Sequence, residues 1–422
     1  MHSDYLYQGE GFSNKLPTGI ITLDIALGGG VPLNGSIIEI YGEESHGKTT
    51  LSYRLCRKCT SVENGYVTWV DSETSYEPEW ARIQGLNLDR VIPYRPPYAE
   101  AAMNIIIDDI RIYKEKYLPW LVDPKWRPSK IDAANAGLGV SDVEGIKQYM
   151  KSVAPPHMIV WDSLAASPVK SVAEEGASFS EGMAYRARLI KMFLSRYNVA
   201  VVGCDNIGMI LINQVIDKIG SYGGGVTTPG GRGLRHGKHL ALYVKKSGSG
   251  EKDAENFRLT DYVYISITKN KVTPVISSFP VVFSKSKGYI GATSLLEYLL
   301  LIGWFRNAGS WKKFDYVEYD KPTGEVLHEE EISIQRGTFY DMIEKRPEIF
   351  RYLCEQVKSL FLERFPTNKN LQDTDISSII EACFMEETAV PDEDEVASMS
   401  GDTVQKKESS NLEDLLDLDI EE

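Results

Sequence analysis

Long apolar runs are missing from this 422-residue chain. The best, Ser294–Phe305, is already broken by Glu297 and falls short of the about 18 residues that a membrane-spanning helix needs, so no such span is expected. Cysteine is also scarce. The five present, Cys56, Cys59, Cys204, Cys354 and Cys383, are too few and too scattered for a disulfide framework, which points to a reducing, cytoplasmic compartment. The opening stretch MHSDYLYQGEGF has neither a basic flank nor an apolar core, and a secretory leader is not expected. Positive charge is in deficit, with 46 Lys and Arg against 60 Asp and Glu, a net of −14. That deficit would argue against a nucleic-acid partner if it were spread evenly. Residues 386–422, however, hold fourteen acidic residues and two lysines, a net of −12, which leaves the body nearly neutral at −2.

What is present reads as a soluble α/β protein. From Leu16 to about Tyr289, β-rich apolar runs (Ser36–Tyr41, Tyr66–Val70, Met158–Trp161, Val199–Val202, Met209–Ile212, Leu240–Val244, Tyr262–Thr268 and Pro280–Phe283) alternate with helical or glycine-rich connections, the pattern of a mainly parallel sheet covered by helices. The stretch at about 117–156 is too long for a structureless connection inside a core and reads as an inserted surface segment. After Gly291, a helical pattern, a hairpin-like Asp315–Leu327 and a helix over Ile349–Arg364 predict a smaller C-terminal lobe. The expected divisions are an N-terminal arm at 1–15, a core at 16–290, the lobe at 291–385 and a disordered acidic tail at 386–422.

One motif carries chemistry by itself. Gly42, Glu43, Glu44, Ser45, His46, Gly47, Lys48 and Thr49, followed by Thr50, fit G-x-x-x-x-G-K-[ST], after an apolar strand and before a helix. In such a loop the backbone N–H groups curl around phosphate oxygens, Lys48 adds a cation, and the Thr49 hydroxyl can hold Mg²⁺. Asp162, ending the strand MIVWD, supplies the acid a metal–triphosphate site requires, although a strand-end Asp can simply cap a turn. Glu73, in the Asp-Ser-Glu that ends another strand, is placed to orient water for hydrolysis. The same tripeptide is also an ordinary helix cap. Cys56-x-x-Cys59 and His236-x-x-His239 have metal-like spacing, but neither has a second pair, and both read as ordinary packing or surface residues.

Beyond the P-loop, the blocks LPTGIITLDIALGGGVPLNGSIIEIYGEESHGKTTLSYRL, VDSETSYEPEWARIQGL, MIVWDSLAASP, LINQVIDKIGSYGGGVTTPGGRGL, ITKNKVTP and AGSW resemble, in order, those of the RecA family of bacterial and phage-encoded strand-exchange recombinases. The resemblance spans about 16–311, and the short N-terminus and leucine-bearing acidic tail tilt it towards phage-type members. It implies a P-loop RecA-like ATPase core, with Lys48, Thr49 and Asp162 on phosphate and Mg²⁺, Glu73 activating water, and Glu77 and Trp80 at adenine. It also implies that Gln214 senses the γ-phosphate and that Lys269 and Lys271 reach into a neighbouring protomer's ATP site within a helical filament.

Leu211–Lys271 carries ten Lys or Arg against five Asp or Glu, a plausible phosphate-binding face. Within it the Gly/Thr-rich loop with Ile216, Lys218, Ile219, Gly220, Tyr222, Gly223, Thr227, Thr228, Gly230, Gly231 and Arg232 has the composition of a segment that orders on single-stranded DNA. Ile216 stands where bacterial members carry a basic residue. The acidic tail reads as a competitor for that face or a docking segment for a single-strand-binding or mediator protein. The reading is therefore an ATP- and Mg²⁺-dependent recombinase that pairs single-stranded with duplex DNA. A hexameric helicase-type motor and a nucleotide-dependent scaffold without DNA binding are the alternatives.

Overall fold

The structure is a computed structural model, and it describes residues 14–175, 179–217, 226–250, 259–320 and 322–384. The arm at 1–13, Lys218, Ile219, Gly220, Tyr222 and Gly223 of the expected DNA loop, and the acidic tail lie outside the described residues.

A short ribbon of β1 (Lys15–Leu16) and β2 (Val31–Pro32) flanks helix α1 (Ile21–Ala26). The parallel part of the main sheet then uses β3 (Ser36–Gly42), β4 (Tyr66–Asp71), β5 (Val91–Tyr94), β6 (His157–Asp162) and β7 (Ile207–Gln214). A two-stranded ribbon of β8 (Ile216–Asp217) and β9 (Val226–Thr227) follows. The sheet is completed by β10 (Leu240–Ser249), β11 (Thr260–Asn270), β12 (Ser278–Ser284) and β13 (Gly288–Ile290). Its order is β13-β12-β11-β10-β3-β7-β6-β4-β5; β10 through β5 pair in parallel, and β10 to β13 extend one side as an antiparallel meander.

Both faces of β3, β4, β6 and β7 are buried, which is why they read as continuous apolar runs rather than alternating ones. On one face Ile38, Ile40, Trp69, Val160 and Ile210 pack with Leu51 and Leu55 of α2 (Lys48–Ser61); α3 (Pro78–Ile83) follows β4. On the other, Ile37, Val70, Trp161 and Leu211 meet Ile106 and Ile110 of α4 (Ala99–Tyr117) and Phe193 and Tyr197 of a later helix. The stretch at about 117–156 is not structureless: it contains α5 (Lys130–Ala136), begun by a capping box between Ser129 and Asp132, and α6 (Val143–Val153).

One predicted strand is overturned. Val199–Val202 lies at the end of α8 (Phe179–Ala200), which follows α7 (Lys170–Glu175), and in the turn after it. Ile190, Phe193, Leu194 and Tyr197 give that segment a helical apolar stripe, and this long-range packing outweighs the local β-propensity of the valines. Conversely, β5 contains Pro93, which a sequence reading takes as a breaker. The strand is tolerated because it is the sheet edge.

Following β9, the chain forms α9 (Gly231–Gly237), and after β13 it enters α10 (Gly291–Leu301). Strands β14 (Arg306–Ala308), β15 (Trp311–Tyr319) and β16 (Val326–Ile334) make a three-stranded antiparallel sheet, with the predicted hairpin between the last two. Helices α11 (Phe339–Lys345), α12 (Pro347–Arg364), α13 (Lys369–Gln372) and α14 (Ile376–Phe384) close the lobe. Leu295, Phe314, Phe350 and Val357 of this lobe share one apolar cluster with Ile21 and Leu51 of the core.

Candidate nucleotide site

Parallel pairing brings the C-terminal ends of β3, β4, β6 and β7 to one edge of the sheet. In register, Gly42 lies beside Gln214 and Asp71 beside Asp162, so residues up to 172 positions apart converge. They surround a cavity of about 510 Å³ whose walls include Glu44 to Thr50, Glu73, Asp162 and Gln214.

The loop is held in the shape phosphate binding needs. Gly47 has φ 89° and precedes the first turn of α2, a left-handed conformation that aims successive N–H groups into the cavity. Gly42 passes so close to the Val244 carbonyl that a Cβ there would collide with it. Lys48 Nζ donates to the Glu43 carbonyl at 2.7 Å, bridging the mouth of the loop. Burial pulls its pKa below the ordinary lysine value, while the carboxylates of Glu73 and Asp162 act in the opposite direction.

Asp162 is the buried acid of the site. Its Oδ2 accepts from Thr49 Oγ1 at 2.8 Å and Ser75 Oγ at 3.2 Å, whereas its Oδ1 is buried without a hydrogen-bond partner. Burial pushes its carboxyl up to about 7, helped by the charge of Glu73 and opposed by the Thr49 and Ser75 hydrogen bonds. A carboxylate oxygen left bare beside a threonine hydroxyl is a donor set that suits Mg²⁺, so Thr49 and Asp162 are the residues that would hold it. Glu73 is exposed, and its Oε1 accepts from Ser163 Oγ and from Gln214 Nε2, the latter at 3.1 Å. The end of β7 is thus tied directly to the Glu73 carboxylate on the cavity wall.

Glu77 and Trp80 are not on the cavity wall. The Glu77 carboxylate caps α3 by accepting from the N–H groups of Glu79 and Trp80, and Trp80 Nε1 donates to Thr50 Oγ1 at 2.9 Å. Trp80 reaches the cavity through Thr50 and through Phe283, whose ring centroid is 6.5 Å away. Phe283 itself lines the cavity, as do Lys246, Asp261 and Lys285; Lys246 is among the cations counted towards the expected phosphate-binding face, and the sequence assigns none of the four to the nucleotide site. Asp261 Oδ2 accepts from Lys246 at 2.7 Å and Lys285 at 2.5 Å; burial raises its pKa, but these two lysines outweigh burial and hold it below the ordinary value. No spacing rule could find this wall, because antiparallel pairing of β10, β11 and β12 carries it over the P-loop. Replacing Phe283 with Ala should weaken nucleoside triphosphate binding by about 1 kcal/mol, roughly fivefold, through lost contact with the base. Inorganic tripolyphosphate should bind the variant as it binds the original chain; equal weakening of both in equilibrium titrations would assign Phe283 to loop packing instead.

Known sequences similar to this chain bear on this geometry. Residues 10–112 and 135–288, more than half of the chain, match the RecA N-terminal domain family. The chain belongs to the RecA family. It is 30% identical over 304 residues to Protein RecA of Fusobacterium nucleatum, covering 71% of this chain and 68% of the relative. With Protein RecA of Thermus thermophilus it shares 29% over 351 residues (83% and 85%), and with that of Thermosynechococcus vestitus 27% over 370 (86% of each). The family match breaks between 112 and 135, so part of the predicted insertion, the first residues of α5 included, falls outside it.

Within the RecA fold, the expected nucleic-acid segment leaves the nucleotide edge immediately after Gln214. Ile216 and Thr227 lie on β8 and β9, Thr228 follows, Gly230 with φ 113° opens α9, and Gly231 and the exposed Arg232 form its first turn. Lys238, one of the cations counted towards this face, is instead turned inward onto Glu39. Lys269 and Lys271 do not line the cavity of their own protomer. Lys269 Nζ donates to the Arg235 carbonyl at 2.7 Å and the His236 carbonyl at 3.3 Å, and Lys271 Nζ to His236 at 3.4 Å. The paired motifs left aside have local roles. Cys59 Sγ donates to the carbonyls of Tyr66 and Pro156, and His239 Nδ1 accepts from Ile37 N–H, its pKa lowered to about 4 by burial and by Lys271 and Lys269. Among the described residues, no helix is long and apolar enough to cross a membrane.

Proposed function

We propose that this chain is an ATP-dependent homologous recombination protein of the cytoplasm. It forms helical filaments on single-stranded DNA, with the nucleotide site shared between protomers, and catalyses pairing and strand exchange with duplex DNA. The observation that carries the reading is the contact of Gln214 Nε2 with Glu73 Oε1. One residue touches the hydrolytic acid and begins the segment expected to bind nucleic acid, so occupancy of the cavity and the conformation of that segment are linked through a single side chain.

In this reading Lys48 and the loop N–H groups hold the triphosphate, and Thr49 and Asp162 hold Mg²⁺, which when bound neutralises phosphate charge. Glu73 takes the proton of an attacking water. Gln214 then exchanges its bond to Glu73 for one to the γ-phosphate, and hydrolysis resets the contact. The acidic tail serves a single-strand-binding or mediator partner.

Electron microscopy of the chain with single-stranded DNA and a non-hydrolysable ATP analogue tests this directly. Open helical filaments are expected; closed rings would favour a motor, and no DNA-bound particles at any salt would favour a scaffold. Two loop variants sharpen the test. Lys218→Ala should flatten the log–log salt dependence of single-stranded DNA affinity by about 0.7, one phosphate contact. Tyr222→Ala should leave the slope unchanged and cost about 1–3 kcal/mol through lost stacking. Unaltered affinity in both would place the DNA contact elsewhere.

A further inference from the structure

The central strand β3 carries a carboxylate where its neighbours are apolar. In Ile37-Ile38-Glu39-Ile40, Glu39 is completely buried, like the isoleucines around it. A charge in that position is costly unless it is paired and hydrogen-bonded, and an apolar side chain would serve packing at least as well. Its partners are therefore informative.

Glu39 Oε1 accepts from Asn213 Nδ2 at 2.9 Å, and Oε2 pairs with Lys238 Nζ. The same Asn213 Nδ2 donates to the Pro229 carbonyl at 2.8 Å, and Asn213 Oδ1 accepts from the Gln214 N–H at 3.2 Å. The Lys238 ammonium also stands 5.5 Å from the centre of the Tyr41 ring, on the same strand as Glu39. One residue further, His239 N–H donates to the Ile37 carbonyl at 2.8 Å. Asn213 lies where the 215–230 segment begins, Pro229 lies where it ends, and Lys238 caps α9, the helix that follows it. Glu39 thus bridges entrance and exit, on the strand that runs three residues later into Gly42 of the P-loop.

We propose that Glu39 and Lys238 form a positioning pair that fastens both ends of the 215–230 segment to the P-loop strand, so that nucleotide binding at Gln214 is converted into a change in DNA affinity. The inference rests on the function proposed above and adds to it the connection by which the cavity acts on the segment. The physical basis is directional. Two apolar groups at these positions would keep the strands packed but would leave the Asn213 amide held by the Pro229 carbonyl alone, with no tie to the P-loop strand, and that amide orients the Gln214 backbone. A buried carboxylate shared by an amide and an ammonium fixes the rotation, so a displacement of Gln214 must move the segment rather than be absorbed locally.

The experiment uses the full chain and three variants: Lys238→Met, the double Glu39→Gln/Lys238→Met, which leaves no buried charge unpaired should the single variant fail to fold, and Lys238→Arg, which retains a cation for Glu39. Two quantities are measured: affinity for a fluorescent ATP analogue, and the ratio of affinities for labelled oligo-dT with and without a non-hydrolysable ATP analogue. For Lys238→Met and the double variant the ratio should fall about tenfold, within the usual range of coupling between sites, while nucleotide affinity stays within about twofold of the original. Lys238→Arg should retain most of the ratio. A purely structural role would lower thermal stability in the double variant without moving the ratio, and a ratio unchanged in the folded double variant would overturn the proposal. If the original chain itself shows no nucleotide effect on oligo-dT binding, the functional reading falls and the coupling with it; if only the variants fail to differ from it, the coupling alone falls.

Discussion

Glu73→Gln should bind nucleotide and DNA almost normally and hydrolyse ATP at least about a hundredfold more slowly, the scale on which loss of a positioned general base is felt. The expected separation of binding from turnover follows from the hydrogen bonds around this side chain. Glu73 Oε1 accepts from Ser163 Oγ and Gln214 Nε2, and a glutamine amide oxygen in the same place can accept from both. What glutamine cannot supply is a basic lone pair for the proton of water. The substitution also removes a negative charge near Asp162, so the metal end of the site is not weakened by new repulsion. Single-turnover hydrolysis beside equilibrium titration of a nucleotide analogue measures the two effects separately. A fall in nucleotide affinity parallel to the fall in rate would make Glu73 a structural cap of its loop, the alternative that the Asp-Ser-Glu sequence leaves open.

A comparable loss, up to about a thousandfold, is expected for the double variant Lys269→Ala/Lys271→Ala, as for removal of a cation that stabilises charge in phosphoryl transfer. In the isolated protomer both ammonium groups rest on carbonyls at the end of α9 and neither lines the adjacent cavity. In the proposed reading, cations so placed act on the nucleotide of a neighbouring protomer. ATPase activity per protomer should therefore rise with protein concentration. Mixing the lysine-pair variant with Lys48→Ala, which keeps the pair but lacks its own phosphate-binding cation, should restore part of the activity, because hybrid interfaces unite two intact halves. Absence of recovery at every ratio, with both variants folded and co-assembling, would remove the trans role. Release of Lys269 and Lys271 from α9 would also free the carbonyls of Arg235 and His236, three residues or fewer from Lys238, so in the proposed reading assembly would act on the helix that Lys238 caps.

The P-loop, its strand and its helix were legible in the chain because their determinants are local: a run of apolar residues, glycines at fixed offsets, and a lysine and a threonine adjacent in sequence. That Asp162 and Glu73 meet at one cavity was legible for a related reason, since Asp162 ends β6, Glu73 follows the end of β4 by two residues, and parallel strands must present their C-terminal ends together. The valines at 199–202 misled because β-propensity is weak against a helical stripe that packs on α4 and the sheet. Lys238 misled because composition counts charges without their direction, and its ammonium is spent on a buried carboxylate.

The sequence by itself determined where this RecA-family chain carries its nucleotide-binding loop, since glycines, a lysine and a threonine at short fixed spacings are local features. Only the tertiary structure decided what stands opposite that chemistry. Phe283, Lys246, Asp261 and Lys285 reach the cavity through the antiparallel meander, and Glu39 meets Lys238 across 199 positions of sequence. Contacts of that kind depend on strand order and register, which are set by how the sheet as a whole buries its apolar side chains and leave no mark in any local stretch of residues.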